Sequence, residues 1–141
     1  MIKHQIELAR DFKQLTSELR QNMDKALLPL GITSAQYSML SILSEDPNIS
    51  GADLARKCKV TPQTIHKMIV FSENEGWIKR ERHPSNDKNL FTTLSARGRR
   101  LLSKARPARL DVIKVMFKGF SSSEVQAFQR LMDKACKNLA K

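Results

Sequence analysis

The chain has 141 residues, of which 40% are hydrophobic, and its 25 Lys and Arg against 14 Asp and Glu give a formal net charge of +11. Length and balance suit one compact domain with a buried core and exclude general disorder, a collagen-like repeat and a disulfide-dense mini-scaffold. No run of about 18 apolar residues occurs, so neither a transmembrane helix nor a membrane partner is expected. Met1–Arg10 lacks the apolar stretch of a signal peptide, and the expected compartment is cytoplasmic. The two cysteines, Cys58 and Cys136, lie far apart and outside any CxxC spacing, which reads as free thiols. His4, His66 and His83 share no metal-ligand spacing, so no metal and no cofactor is expected.

In chain order, Ile2, Ile6, Ala9, Phe12, Leu15, Leu19, Met23 and Ala26 recur every three or four residues, a single stripe on a long helix that Pro29 and Gly31 end. Thr33 and Gln36 form a capping box, with Ile32 stapling onto Tyr37, and open a helix whose apolar positions are Met39, Leu40, Ile42 and Leu43. Glu45–Asn48 is a turn. Ser50 caps a short helix over Gly51–Lys57, and Thr61 with Pro62 starts another that runs to about Glu75 and stops at Gly76. Two short helices joined by a few residues, with Ala55 at the crossing, make a helix-turn-helix pattern.

Trp77–Arg82 and Leu90–Leu94 are strand-like and flank a turn-rich His83–Asn89, a β-hairpin with a basic tip. Ser95 caps a helix with Leu101, Leu102, Ala105, Leu110, Ile113 and Phe117 on its inner side, which Pro107 is expected to kink or interrupt. Phe120–Val125 repeats the staple and capping-box arrangement. It opens a last helix through Val125, Phe128, Leu131, Met132, Ala135 and Leu139. The expected fold class is mainly α with a small β-hairpin wing.

The charge is concentrated in the middle. Residues 51–110 hold 14 basic and 5 acidic side chains, net +9, against −1 before them and +3 after. Such a segment suits a polyanion. On the helix starting at Thr61, Ile65, Met68 and Ile69 face inward, leaving Gln63, Thr64, His66 and Lys67 to project near its N-terminus. Gln pairs bidentately with adenine, Thr meets a thymine methyl or a phosphate, and Lys reaches guanine or phosphate. Thr61 joins this candidate set as the cap. On the hairpin, Lys79, Arg80, Arg82, Lys88 and Asn89 suit backbone or minor-groove contacts. Arg97, Arg99 and Arg100 open the next helix, and one DNA face cannot accommodate all of these cations.

Three segments carry a family resemblance: GITSAQYSMLSIL, SGADLARKCKVTPQTIHKMI and EGWIKRERHPSNDKNLFTTLSARG. In order and spacing the chain resembles the MarR family of bacterial winged helix-turn-helix regulators over nearly its whole length. The resemblance implies a single domain over 1–141. In it, 31–107 form the winged lobe, and 1–30 and 108–141 form the N- and C-terminal dimerisation helices. It further implies a homodimer on a pseudo-palindrome in double-stranded DNA, and control by a small aromatic or lipophilic effector or by thiol oxidation. The apolar stripes at both chain ends also exceed what one small winged core covers, which argues for the homodimer independently. The chain departs from the family pattern in three respects. Asn86 and Lys88 stand where a wing Asp-x-Arg pair is common. Ser72 stands where a leucine is usual, followed back along the helix by an apolar Val70 and Phe71. Pro107 falls within what is usually one long helix.

The expected function is thus a sequence-specific transcriptional regulator, a homodimeric repressor released by ligand or oxidant. The alternative is a nucleoid-associated architectural protein with little sequence preference. Cys58 is the redox candidate, because neighbouring Lys57 and Lys59 favour its thiolate. No nucleophile–base–oxyanion set, paired carboxylates or glycine-rich phosphate loop is discernible, so the chain is not expected to be an enzyme.

Overall fold

The computed structural model describes residues 1–83 and 86–140, and the side chains of all of these except 82, 83 and 86–90. Helix α1 spans Ile2–Leu27 and tightens into a 3-10 turn at Leu28–Leu30, and Gly31 ends it with φ 75°. That left-handed backbone is one that glycine adopts without a Cβ penalty. Helix α2, Ser34–Glu45, starts at the expected capping box: the Thr33 hydroxyl accepts from Gln36 N–H at 3.1 Å, and Gln36 Oε1 accepts from Thr33 N–H at 2.9 Å. Helix α3 covers Gly51–Cys58 with Ser50 as its cap, and α4 covers Pro62–Asn74 with Thr61 as its cap.

Between α3 and α4 the chain turns through Lys59 at φ 59°, where Val60 N–H bonds the Ala55 carbonyl at 3.0 Å. This is a helix-terminating turn made without glycine, at a cost of about 1 kcal/mol. At the far end of α4, Gly76 at φ 76° lets Trp77 N–H return to the Ser72 carbonyl at 2.9 Å.

Strands β1 (Ile78–His83) and β2 (Asn86–Leu94) pair antiparallel, from Ile78 opposite Leu94 out to Arg82 opposite Leu90. The second strand begins four residues before the expected Leu90. Asn86–Asn89, read from their polarity as turn, belong to it, and the register slips between Arg82 and His83 to absorb them. The wing base is tied to the helical lobe by Thr92 N–H, which donates to the Pro47 carbonyl at 3.0 Å.

Helix α5 runs from Ala96 to Met116 under a Ser95 cap. Pro107 does not interrupt it, and the expected 107/108 boundary between winged lobe and dimerisation segment falls inside this one helix. Helix α6, Ser122–Leu139, opens with the second capping box, Ser121 with Glu124. The core gathers Leu27, Ile32, Tyr37, Met39, Leu40, Leu43, Leu54, Ile65, Ile69, Trp77, Ile78, Leu94 and Leu102 from α1 to the start of α5.

The chain ends are different. Ile6 is 54% exposed, Leu110 is 50% exposed rather than buried as expected, and Leu131 is 55% exposed. Helix α6 buries no residue fully. Its ring contact runs from Phe128 to Phe117, centroids 6.2 Å apart, and it does not pack along α1.

Candidate nucleic-acid interface

Helix α4 is held in place by three devices legible in its first turns. Thr61 accepts from Thr64 N–H at 3.1 Å, Pro62 occupies the first helical position, and Ile65 and Ile69 are buried against the lobe. With those apolar positions inward, a 3.6-residue repeat leaves Gln63, Thr64, His66 and Lys67 outside, and all four are exposed. The structure therefore brings four expected residues into one polar row at the N-terminal end of α4, where the positive end of the helix dipole favours an anion. Thr61 is exposed beside them, but its hydroxyl also donates to the Thr64 hydroxyl at 2.9 Å, so its work is the cap. The Thr64 hydroxyl, as acceptor in that bond, keeps its own proton for a base or phosphate.

Arg80 sits apart from this row. It is half-buried and lines a cavity of about 350 Å³ at the wing base, with Asn48, Ser50 and Thr92 around it and Leu43, Leu54 and Ile69 beneath. Lys79, its neighbour on β1, is exposed. The side chains of Arg82, Lys88 and Asn89 lie outside the described residues, as do those at the Asn86 and Lys88 positions of the wing pair. Arg99, read from sequence as one of several basic residues, is a brace: its guanidinium donates to the Leu94 carbonyl at 2.8 Å and fastens α5 to the end of the wing.

Cys58 does not fit the environment expected for it. Lys57 and Lys59 on either side are exposed, whereas Cys58 is half-buried at the end of α3, and burial pushes its thiol above the ordinary value. Desolvation of the charged form outweighs the flanking cations, and the thiolate is disfavoured. Ser72 stands on the inner face of α4 at 0% exposure, and its hydroxyl has no hydrogen-bond partner among the described residues. Toward the other end of the molecule, a cavity of about 500 Å³ opens between α1 and α5, lined by Leu15, Leu19, Ala26, Val112 and Met116 with Glu18 and Asp111. Among the described residues, no group of three His, Cys, Asp or Glu is placed to hold a metal ion, and no single helix is long and apolar enough to cross a membrane.

A helix-turn-helix followed directly by a two-stranded wing defines a winged helix-turn-helix protein. The MarR family profile matches residues 32–90, from the start of the lobe into the wing. The chain is 32% identical over 116 residues to the HTH-type transcriptional repressor Rv2887 of Mycobacterium tuberculosis, covering 82% of this chain and 84% of that protein. The crystal structure of Rv2887 in complex with p-aminosalicylic acid superposes with a TM-score of 0.74 at 30% identity, covering 91% of this chain and 97% of that one. A mutant of Escherichia coli MarR in complex with operator DNA has the same fold, with a TM-score of 0.83 at 20% identity over 96% of this chain and 97% of that one. The chain belongs to the MarR family.

Proposed function

We propose that the protein is a transcriptional repressor that binds a pseudo-palindromic operator in double-stranded DNA as a homodimer. The observation that carries this reading is the exposed row of Gln63, Thr64, His66 and Lys67 at the N-terminal end of the second helix of the helix-turn-helix. Gln63 and Thr64 read base edges, while Lys67 reaches guanine or phosphate. Lys79 and the wing residues Arg82, Lys88 and Asn89 supply backbone or minor-groove contacts, and Arg80 supports the wing from its base.

The homodimer is supported by the apolar faces that the single chain leaves uncovered on α1, on the second half of α5 and on α6. Residues 31–107 act as the reading lobe, and 1–30 with 108–141 as the dimerisation segments. Two-fold symmetry then sets half-sites about one helical turn apart. The release signal in this reading is a small aromatic or lipophilic effector seated in the α1–α5 cavity. Rv2887 and its p-aminosalicylic acid complex support a ligand of that size.

The test is fluorescence anisotropy at about 150 mM salt, where phosphate-only binding is largely suppressed. The probe is the DNA upstream of the protein's own gene, with unrelated duplex as competitor. A preference above about a thousandfold is the expected result for a specific regulator. Gln63→Ala is expected to lower that preference by roughly 1–3 kcal/mol at one base position. Tight binding without preference replaces this reading with the architectural one, and an unchanged Gln63→Ala removes the groove placement. Light scattering is expected to return twice the 16.1 kDa chain mass.

A further inference from the structure

Six of the basic residues that make the middle of the chain positive lie on α5: Arg97, Arg99, Arg100, Lys104, Arg106 and Arg109, with no acidic residue between Ala96 and Leu110. Two of the six serve the fold. Arg99 bonds the Leu94 carbonyl, and the Arg109 guanidinium lies 5.6 Å from the centroid of the Tyr37 ring. Arg97, Arg100 and Lys104 are exposed, and none of them pairs with a carboxylate among the described residues. Spaced three and then four residues apart, they stack on one helix face over about 10 Å.

The row edges two open grooves. One, of about 370 Å³, has Trp77, Leu30 and Leu101 along it and Glu75 lining it as well. The other, of about 460 Å³, runs past Ser103 and shares Arg100 and Lys104. Glu75 and Trp77 mark the C-terminal end of α4, whereas the groove-reading row begins at Gln63. Eight to twelve residues, or about 12–18 Å along the axis, separate Glu75 from the reading row Gln63–Lys67. A duplex seated on Gln63–Lys67 turns its base edges toward those residues, and Arg97, Arg100 and Lys104 are not among them. What it can offer these three is phosphate backbone.

We propose that Arg97, Arg100 and Lys104 form a second polyanion surface, separate from the reading row on α4, that holds a DNA phosphodiester backbone. Three cations in line, none paired with a carboxylate among the described residues and bordered by open grooves rather than an enclosed pocket, match a linear run of phosphates better than a compact ligand. The inference rests on the DNA-binding reading above for the identity of the polyanion. The backbone comes either from the flank of the duplex already bound or from a second duplex.

The test compares the wild type with an Arg97→Gln, Arg100→Gln, Lys104→Gln triple variant and a separate Lys67→Gln variant, using labelled 40-base-pair duplexes of random sequence. Anisotropy across a salt series measures the log–log slope on one duplex, and a bead-tethered duplex measures capture of a labelled second one. A slope reduced by about 2 to 3 units, the loss expected for three phosphate contacts, assigns the flank of the bound duplex. Lost capture with an unchanged slope assigns a second duplex. The charge-retaining Arg97→Lys, Arg100→Lys pair should keep most of either effect, which a disturbed fold would not. Unchanged slope and unchanged capture in the triple variant overturn the proposal, and if Lys67→Gln alone loses affinity, the reading row stands without it. A wild type that binds neither duplex overturns the DNA reading itself and this surface with it.

Discussion

Gly98→Ala separates packing from local propensity because the two predict opposite signs. In the interior of an exposed helix the change is expected to stabilise by about 1 kcal/mol. At Gly98 a Cβ would stand 2.0 Å from the Trp77 carbonyl oxygen and 2.9 Å from its carbon, so an ordinary contact of 3.4 Å requires a retreat of 1.4 Å. Neither side yields easily. The obstacle is backbone, and the same carbonyl accepts Ser95 N–H at 2.9 Å while Ser95 also bonds the Gly76 carbonyl and caps α5 through Gly98 N–H. Overpacking costs about 1–3 kcal/mol, and the two Ser95 bonds that stretch with the retreat contribute about 1 kcal/mol each. After the helix-propensity gain, the expected net loss is about 2–4 kcal/mol. In urea at fixed protein concentration the midpoint should fall with little change in slope. Circular dichroism should show a Tm lower by roughly 6–12 °C. A midpoint equal to or above the wild type would refute the packing argument.

Ser72→Ala removes a buried hydroxyl that has no partner among the described residues, and is expected to raise stability by about 1 kcal/mol in the same urea assay; a loss of stability would show that the hydroxyl is satisfied in solution. Because burial raises the Cys58 thiol, its alkylation at neutral pH should be slower than that of a solvent-exposed cysteine peptide, and its rate should go on rising with pH after the peptide's has levelled off. Rapid modification below pH 7 sinks that account. The Glu124 carboxyl is held below its ordinary value by the backbone N–H and hydroxyl of Ser121. A depressed carboxylate contributes stability above its unfolded pKa of about 4 and loses it as pH falls through the folded value. Glu124→Gln should therefore flatten the acid limb of a pH–stability profile measured below about pH 4.5. An identical limb in the variant removes the capping box from that dependence.

What was legible in the sequence was what neighbouring residues decide among themselves. Thr33 with Gln36, Ser121 with Glu124, Ser50, Thr61 and Ser95 are helix starts written within four residues, and each caps as expected. The reading row followed from one inference, that Ile65 and Ile69 face inward. The rest depends on residues far apart in the chain. Nothing near Gly98 in sequence announces the Trp77 carbonyl against it, and nothing near Thr92 announces its bond to Pro47. Cys58 looked electropositive because its sequence neighbours are lysines, but its surroundings in space are apolar enough to reverse the shift. Arg80 alternates along β1 as a wing residue should, yet the α2–α3 loop and α4 half-bury it at the wing base. Leu110 lies on the apolar stripe of α5, and a single chain provides nothing to cover it.

The uninterrupted passage of α5 through Pro107 has a mechanical consequence. Proline has no N–H, so the carbonyl of Ser103 loses its helical partner in the stretch of α5 between the buried Ala105 and the exposed Leu110. Bending stiffness along α5 is lowest there. Gly98, pressed on the wing base, lies nine residues away, a lever arm of about 13 Å. A flexure of about 10° at Pro107 therefore moves the wing base by about 2 Å relative to the exposed half of the helix. The rigidity that fixes the wing to α5 and the compliance at Pro107 together make one helix both the strut and the joint between the two halves of the chain.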